Sequence, residues 1–431
     1  MIQPALTPAG TYVPTDAGPT SLSLYIQPST NWEQCAVPRF MAHFVEAASS
    51  STPGYMEFLP QMLEWTFAST RDAFLAVSLA NLGNVSGILE LQVKSKVHYG
   101  QALQSLQAAL NDTTTAAADS TLLTIVVLQM YEIIAGTSGP PDADPHETVT
   151  TELLRLRSST HQTSDASKKL SQIVHTRKEV QGMFVCQDEN EHGITSSSSP
   201  GASFRILLRK VSATCVNLQS TLLQYRCLVA LDVAAFTEAL QSAIVVYDEV
   251  ARWPKSTPVE WRAKPHIAPK EVQASGISQI FLFGGIQHGA IWQVYFCTRI
   301  HLCQSLLRAD DLLSQQCHLE PTALPQMLSQ EAIRATIFAA VDDICSCAPY
   351  LLGDIDNEGH MNRSKVESKA LGAFFLLRGL MVANSVEGLP RRQRRLVLDL
   401  LHRVGAQFGI RVAWRLRDAW MAGHRAETEL L

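Results

Sequence analysis

Apolar residues recur every three to four positions through three long stretches that contain no proline: between Pro60 and Pro140, between Pro200 and Pro254, and between Pro269 and Pro321. An interior proline costs a helix roughly 3 kcal/mol, so such gaps are where long helices fit. In the first gap Phe74, Val77, Leu79 and Leu82 predict a helix that stops at Gly83. Ala102, Leu103, Leu106 and Leu110 predict a second, and a third is expected from a cap at Asp119 or Ser120 to Gly136. Near the C-terminus Val397, Leu400, Leu401, Val404 and Phe408 form an apolar stripe, with Gly405 and Gly409 allowing close approach of a neighbouring helix. Alternation with period two is scarce, and no Asn-Gly or Asp-Gly turn lies between alternating runs. The fold class expected is therefore all-α.

The segment YDEVARWPKSTPVEW places Trp253 and Trp261 around Pro254 and Pro258. A helix entering it through Val245, Val246 and Val250 is expected to end at Trp253, because the proline ring cannot continue it, and both indoles are expected to pack on the bundle. The polar, serine-rich stretch 158–203 reads as a flexible linker. It separates a helical part at 56–157 from a second at 204–425, with an irregular, proline-rich segment at 1–55.

With 46% hydrophobic and 17% charged residues, the 431-residue chain has the composition of a folded protein. A net charge of −5 gives no bulk attraction for nucleic acid. The most apolar window, Leu122 to Ile134, contains Gln129 and Glu132 and is too short to span a bilayer, and the N-terminus lacks a secretory signal pattern. A soluble intracellular protein with no membrane partner is expected, its nine cysteines reduced and mostly buried.

Candidate chemistry is sparse. Asp310–Asp311 and Asp342–Asp343 are adjacent carboxylates, and NDTTTAAAD, with Asn111, Asp112, Thr115 and Asp119, mimics one magnesium-binding box of helical terpene cyclases. The mimicry lacks a full aspartate-rich partner box, so a cyclase acting through Asp112, Asp119 and Asp310 stands as the alternative to a non-enzyme. Cys297, His301 and Cys303 offer too few ligands for a closed zinc site, Cys345 and Cys347 lack redox spacing, and FGGIQHG has the wrong glycine spacing for a dinucleotide turn. No catalytic residue, metal site or cofactor is predicted. Four arginines, Arg391, Arg392, Arg394 and Arg395, open a helix whose N-terminus prefers acids, which admits a nuclear-import role for the run.

Read in order, AVSLANLGN, HYGQALQSLQAAL and TLLTIVVLQMYEII resemble the early helices of the regulatory domain of fungal Zn(2)-Cys(6) binuclear-cluster transcription factors. HETVTTELLRLRS matches that family's pattern at His146, Leu153, Leu154 and Arg157, with Val149 and Ser158 where it has glycines. YDEVARWPKSTPVEWR, IWQVYFCTRIHL, DDICSCAPYLL and LDLLHRVGAQFGIRVAWRL are similar to later segments in the same order. The residues present contain no CxxC, so the family's six-cysteine DNA-binding cluster is not among them. The resemblance implies a multi-helix regulatory domain in a nucleus. It would control a metabolic, plausibly secondary-metabolite, gene set through other transcription regulators, a second copy of itself or a small effector, and would not bind DNA directly. The groups expected to line an effector pocket are Trp253, Trp261, Trp292 and Arg299. A helical scaffold with no ligand is the remaining alternative.

Overall fold

A computed structural model describes residues 31–48, 54–62, 68–137, 147–158, 164–185, 200–226, 233–316, 329–362 and 369–429. The chain is all-α. Its first helix, α1 (Trp32–Phe44), lies inside the segment expected to be irregular: Ala36, Phe40 and Phe44, spaced by four, are buried, and this packing outweighs Pro38 in the helix interior. A short α2 (Leu59–Met62) leads to α3 (Ala68–Ser86), α4 (Leu89–Asn111) and α5 (Asp119–Ala135).

One expected boundary shifts and one expected cap is missing. α3 continues through Gly83, which is buried where a Cβ would lie 3.1 Å from that of Leu91 in α4, and the chain turns instead at Gly87 with φ of 72°. α5 begins at Asp119 without a side-chain cap, and it ends at Gly136 in the left-handed region, as expected. Leu122, Leu123, Ile125, Val126, Val127 and Leu128 are all buried, so α5 is apolar around its circumference and forms the centre of the N-terminal bundle.

α6 (Glu147–Ser158) and α7 (Asp165–Val185) pack on α5. α7 corrects the linker expected at 158–203: Leu170 and Val174 are buried at helical spacing within an otherwise polar sequence. His146, part of the family pattern, lies outside the described residues. Next come α8 (Pro200–Arg226) and α9 (Val233–Ser256), then a 3₁₀ turn at Val259–Trp261. A small antiparallel pair follows, β1 (Lys264–Ile267) and β2 (Gln279–Leu282), with Lys264 opposite Leu282 and short α10 (Lys270–Gln273) between them. Four-residue strands, one of them exposed along its length, leave no alternation to read in sequence.

The 31-residue α11 (Ile286–Gln316) is the axis of the C-terminal part. α8, α9, α12 (Gln330–Ser346) and α14 (Ala370–Ser385) pack on it, with short α13 (Ala348–Leu351) wedged against α14. α15 (Arg391–Phe408) and α16 (Arg411–Glu429) form a final hairpin. Val397, Leu400, Leu401, Val404 and Phe408 are all buried, and a Cβ on Gly405 would lie 2.6 Å from the Trp414 ring of α16, so the expected close approach occurs there.

The hairpin returns to the N-terminal bundle. Asn81 of α3 donates to the Phe408 carbonyl at 2.8 Å and accepts from Arg39 at 2.6 Å, while Asn84 donates to Ile134 O at 2.7 Å and Gly409 O at 3.0 Å. Two buried amides thereby satisfy carbonyls at the ends of α5 and α15. One contiguous core runs from Phe40 to Ala413, so the parts at 56–157 and 204–425 share their interior. Among the described residues no helix is long and apolar enough to cross a membrane.

Candidate functional site

The aromatic residues singled out by sequence meet where α8, α9, the 3₁₀ turn and α11 converge. Trp253 projects inward from the last turn of α9, its ring centroid 4.7 Å from Phe204, 5.2 Å from Trp292 and 5.1 Å from Tyr295. α9 does not end at Trp253 as expected; it runs on to Ser256 with Pro254 inside it. Proline deprives the Val250 carbonyl of its helical donor, and the Tyr295 hydroxyl donates to that oxygen instead, at 3.2 Å. Tyr295→Phe should therefore cost about 1–2 kcal/mol in urea unfolding by leaving this buried carbonyl unpaired. The cost should shrink in a Pro254→Ala background, which restores the backbone donor.

Trp292 donates its indole N–H to Trp261 O at 2.8 Å, which pins the turn after α9 to α11. Half-buried Trp261 covers the His288 ring at 4.3 Å. His288, in the FGGIQHG segment, is only 1% exposed, and among the described residues nothing hydrogen-bonds to either ring nitrogen. Burial lowers its pKa, so the imidazole is held neutral.

Arg299, two turns beyond Trp292, lies 5.8 Å from the centre of the Tyr295 ring and 3.6 Å from the Asp343 carboxylate of α12. Burial pushes the Asp343 carboxyl from 3.8 up to about 6, with Arg299 opposing the shift and Asp342 adding to it. Between those values the folded chain retains a proton that the unfolded chain has released. The group therefore favours folding fully below about pH 4 and loses that contribution as pH rises through about 6. With 31% of the side chain exposed, solvent screens part of the penalty. Asp343→Asn should accordingly gain about 1–2 kcal/mol on wild type between pH 4 and pH 7 in paired urea titrations. An advantage that stays flat with pH would mean that the Arg299 contact dominates.

The four predicted residues are thus brought together, as a packed cluster in which Trp292 and Arg299 are already engaged by protein groups. Trp253 also lines an open groove of about 260 Å³ between α8 and α9, with Ile206, Leu207, Lys210, Glu249 and Arg252. Lys210 and Glu249 pair across it at 2.7 Å. Sequence reading missed these groove residues because Ile206, 57% exposed, lies off the apolar stripe of α8.

Each carboxylate that a cyclase would use is engaged by a protein partner. Asp112 accepts from the Thr114 amide and hydroxyl, Asp119 from Arg157, and Asp310 from Gln330. Among the described residues the trio of metal-capable groups close to one another is Asp356, Glu358 and His360, on an exposed turn where Asp356 accepts from the Glu358 and His360 amides. Burial raises the Cys297 and Cys303 thiols to about 12 and lowers His301, with help from Arg308 and Arg378, to about 4. Among the described residues these three do not gather their ligand atoms at one point, and burial keeps each of them in its uncharged form.

Of the import candidates, Arg391, Arg392 and Arg395 are exposed on the first turns of α15. Arg394 is turned inward: it donates to Asn384 O and Val386 O at the end of α14 and stacks 5.5 Å from the Trp420 ring. Arg395 pairs with Asp399 at 3.8 Å.

Residues 20–176 match the family model of the fungal specific transcription factor domain, a stretch that includes α1 to α6 and enters α7. No curated protein and no solved structure matches the chain. The match bears on the segments AVSLANLGN through HETVTTELLRLRS and points to a transcription regulator.

Proposed function

We propose that this chain is a transcription-regulator-like protein of fungal type that acts through contacts with proteins or a small effector. The observation that carries the reading is the match of residues 20–176 to the fungal specific transcription factor domain. Support for an indirect grip on DNA comes from the residues present, which contain no CxxC and carry a net charge of −5. In this reading the chain works in the nucleus beside a DNA-binding regulator or a second copy of itself, on a metabolic gene set of the secondary-metabolite kind, and catalyses no reaction. Arg391, Arg392 and Arg395 are the exposed basic groups available to an import receptor, and substituting all three should abolish nuclear accumulation of a fluorescent fusion.

An effector, if the chain takes one, enters the α8/α9 groove against Trp253, with Trp261, Trp292 and Arg299 supporting that wall from behind. The test is co-precipitation from the source organism together with transcript profiling of a deletion strain. Recovery of a DNA-binding regulator and a coordinated change in one gene set support the reading; neither result appearing would overturn it. A ligand-free scaffold is the second reading, favoured by the openness of the groove.

A further inference from the structure

His288 sits in the first turn of α11 with both ring nitrogens enclosed, and among the described residues neither has a hydrogen-bond partner. A neutral imidazole carries one donor and one acceptor, so its burial leaves two polar groups unpaired at once. Gly284 lies against the ring, where a Cβ would come 3.0 Å from Nδ1, and the Trp261 indole covers it with ring centroids 4.3 Å apart. Trp261 belongs to the 3₁₀ turn Val259–Trp261, which buries none of its residues and leaves Val259 64% exposed. That turn is tied down near its C-terminal end: Trp292 donates to Trp261 O at 2.8 Å, and Arg262 donates to Thr257 O at 2.7 Å and Lys255 O at 2.9 Å. A short, exposed turn thus shuts in a titratable ring, and segments with so little buried contact are the ones that open locally.

We infer that Trp261 and its turn form a proton-operated latch over His288, shut on the neutral imidazole and open when the ring takes a second proton. That proton makes both nitrogens donors, and the described residues of the closed site offer neither of them an acceptor. The surrounding charges decide which element moves. α11 presents its N-terminus, whose dipole opposes a positive charge, and has no charged side chain before Arg299. The segment 283–285 is uncharged, and beyond Phe283 α13 offers Tyr350, whose hydroxyl is pushed by burial up to about 12. On the turn itself Arg262 is committed to its two carbonyls, while the exposed Glu260 carboxylate favours the imidazolium. Swinging the turn outward therefore gives the charged ring both water and Glu260. With the turn shut, burial outweighs Glu260 and holds the ring below its usual 6.5. Closing is accordingly unopposed above about pH 6.5 and increasingly opposed as pH falls below it, because the open form then binds the proton that the closed form excludes.

The latch is a motion within the chain and stands apart from the regulatory reading. Its test is acrylamide quenching of the tryptophan fluorescence of the full chain from about pH 8 down to about pH 5, with helical circular dichroism followed in parallel. Wild type is expected to gain about one quenchable indole among its seven as pH falls, with the helical signal unchanged. Trp261→Phe should lack the gain because the reporter is gone, and His288→Leu should lack it because the ring that takes the proton is gone. Glu260→Gln should move the gain to lower pH by removing the carboxylate that favours the imidazolium. This exposed substitution keeps the inference open to refutation even if His288→Leu disturbs the fold. No gain in wild type, a gain accompanied by loss of helical signal, the same gain in folded His288→Leu or Trp261→Phe, or an unmoved gain in Glu260→Gln would each overturn the inference.

Discussion

Replacing Arg157 by alanine should destabilise the chain by about 3 kcal/mol, the low end of the range for breaking a buried charge pair from one side, because the Asp119 carboxylate is 32% exposed and keeps some water. Arg157 is 3% exposed at the end of α6. Its guanidinium donates to Ala117 O at 2.7 Å, to the Asp119 carboxylate at 2.5 Å and to the Ser167 hydroxyl at 2.8 Å. One planar fork therefore joins the turn before α5 to the first turn of α7, and its removal strands a carboxylate, a carbonyl and a hydroxyl together. Arg157→Lys should recover little, because an ammonium on a single stem cannot span three acceptors set in a plane. Urea unfolding followed by circular dichroism measures both variants, and a loss under about 1 kcal/mol for alanine would show that these elements hold together without the arginine.

Gly372→Ala should rank beside it. A Cβ built at Gly372 would lie 1.8 Å from the Leu351 carbonyl oxygen, a backbone atom that cannot rotate aside. α14 and α13 must separate to admit one methyl group, with an expected cost of about 3 kcal/mol. Gly423, on α16, supplies the control: nothing lies within 4 Å of its Cβ position, so Gly423→Ala should stabilise the helix by about 0.5–1 kcal/mol. Equal melting temperatures for Gly372→Ala and wild type would mean that the two helices are not pressed together there.

Arg157 also shows what the sequence could and could not disclose. A family pattern singled it out together with Leu153 and Leu154, all three of which are buried, but its acceptors lie on elements about 10 to 40 positions away and no local spacing announces them. α4 and α15 were legible because each buries one face at helical spacing, and α3 and α5 because each is a long proline-free apolar run, buried nearly all round. Proline was a weaker guide. Pro38 and Pro254 both sit within helices, and at Pro254 the reason is a hydroxyl supplied from Tyr295, more than forty residues along the chain. α7 escaped notice because its buried positions are few among serine, lysine and glutamine, so its composition resembles a linker even where Leu170 and Val174 anchor a helix.

The candidate site was legible in its residues and less so in its form. Trp253, Trp261 and Trp292 meet, and Arg299 reaches them through Tyr295, in a packed cluster with one open edge at Trp253. What turns them into a cluster is Tyr295, which touches Trp253, Trp292 and Phe296 and carries Arg299 over its ring. A tyrosine on an apolar helix face gives no sign in sequence that its hydroxyl serves a distant carbonyl.

The central claim is that this helical array regulates transcription through contacts rather than chemistry. Transcript profiling of the source organism with the coding sequence deleted, and again with it restored, tests that claim most directly. The account predicts that one coordinated set of genes changes on deletion and returns on restoration; transcript levels that stay the same in all three strains would contradict it.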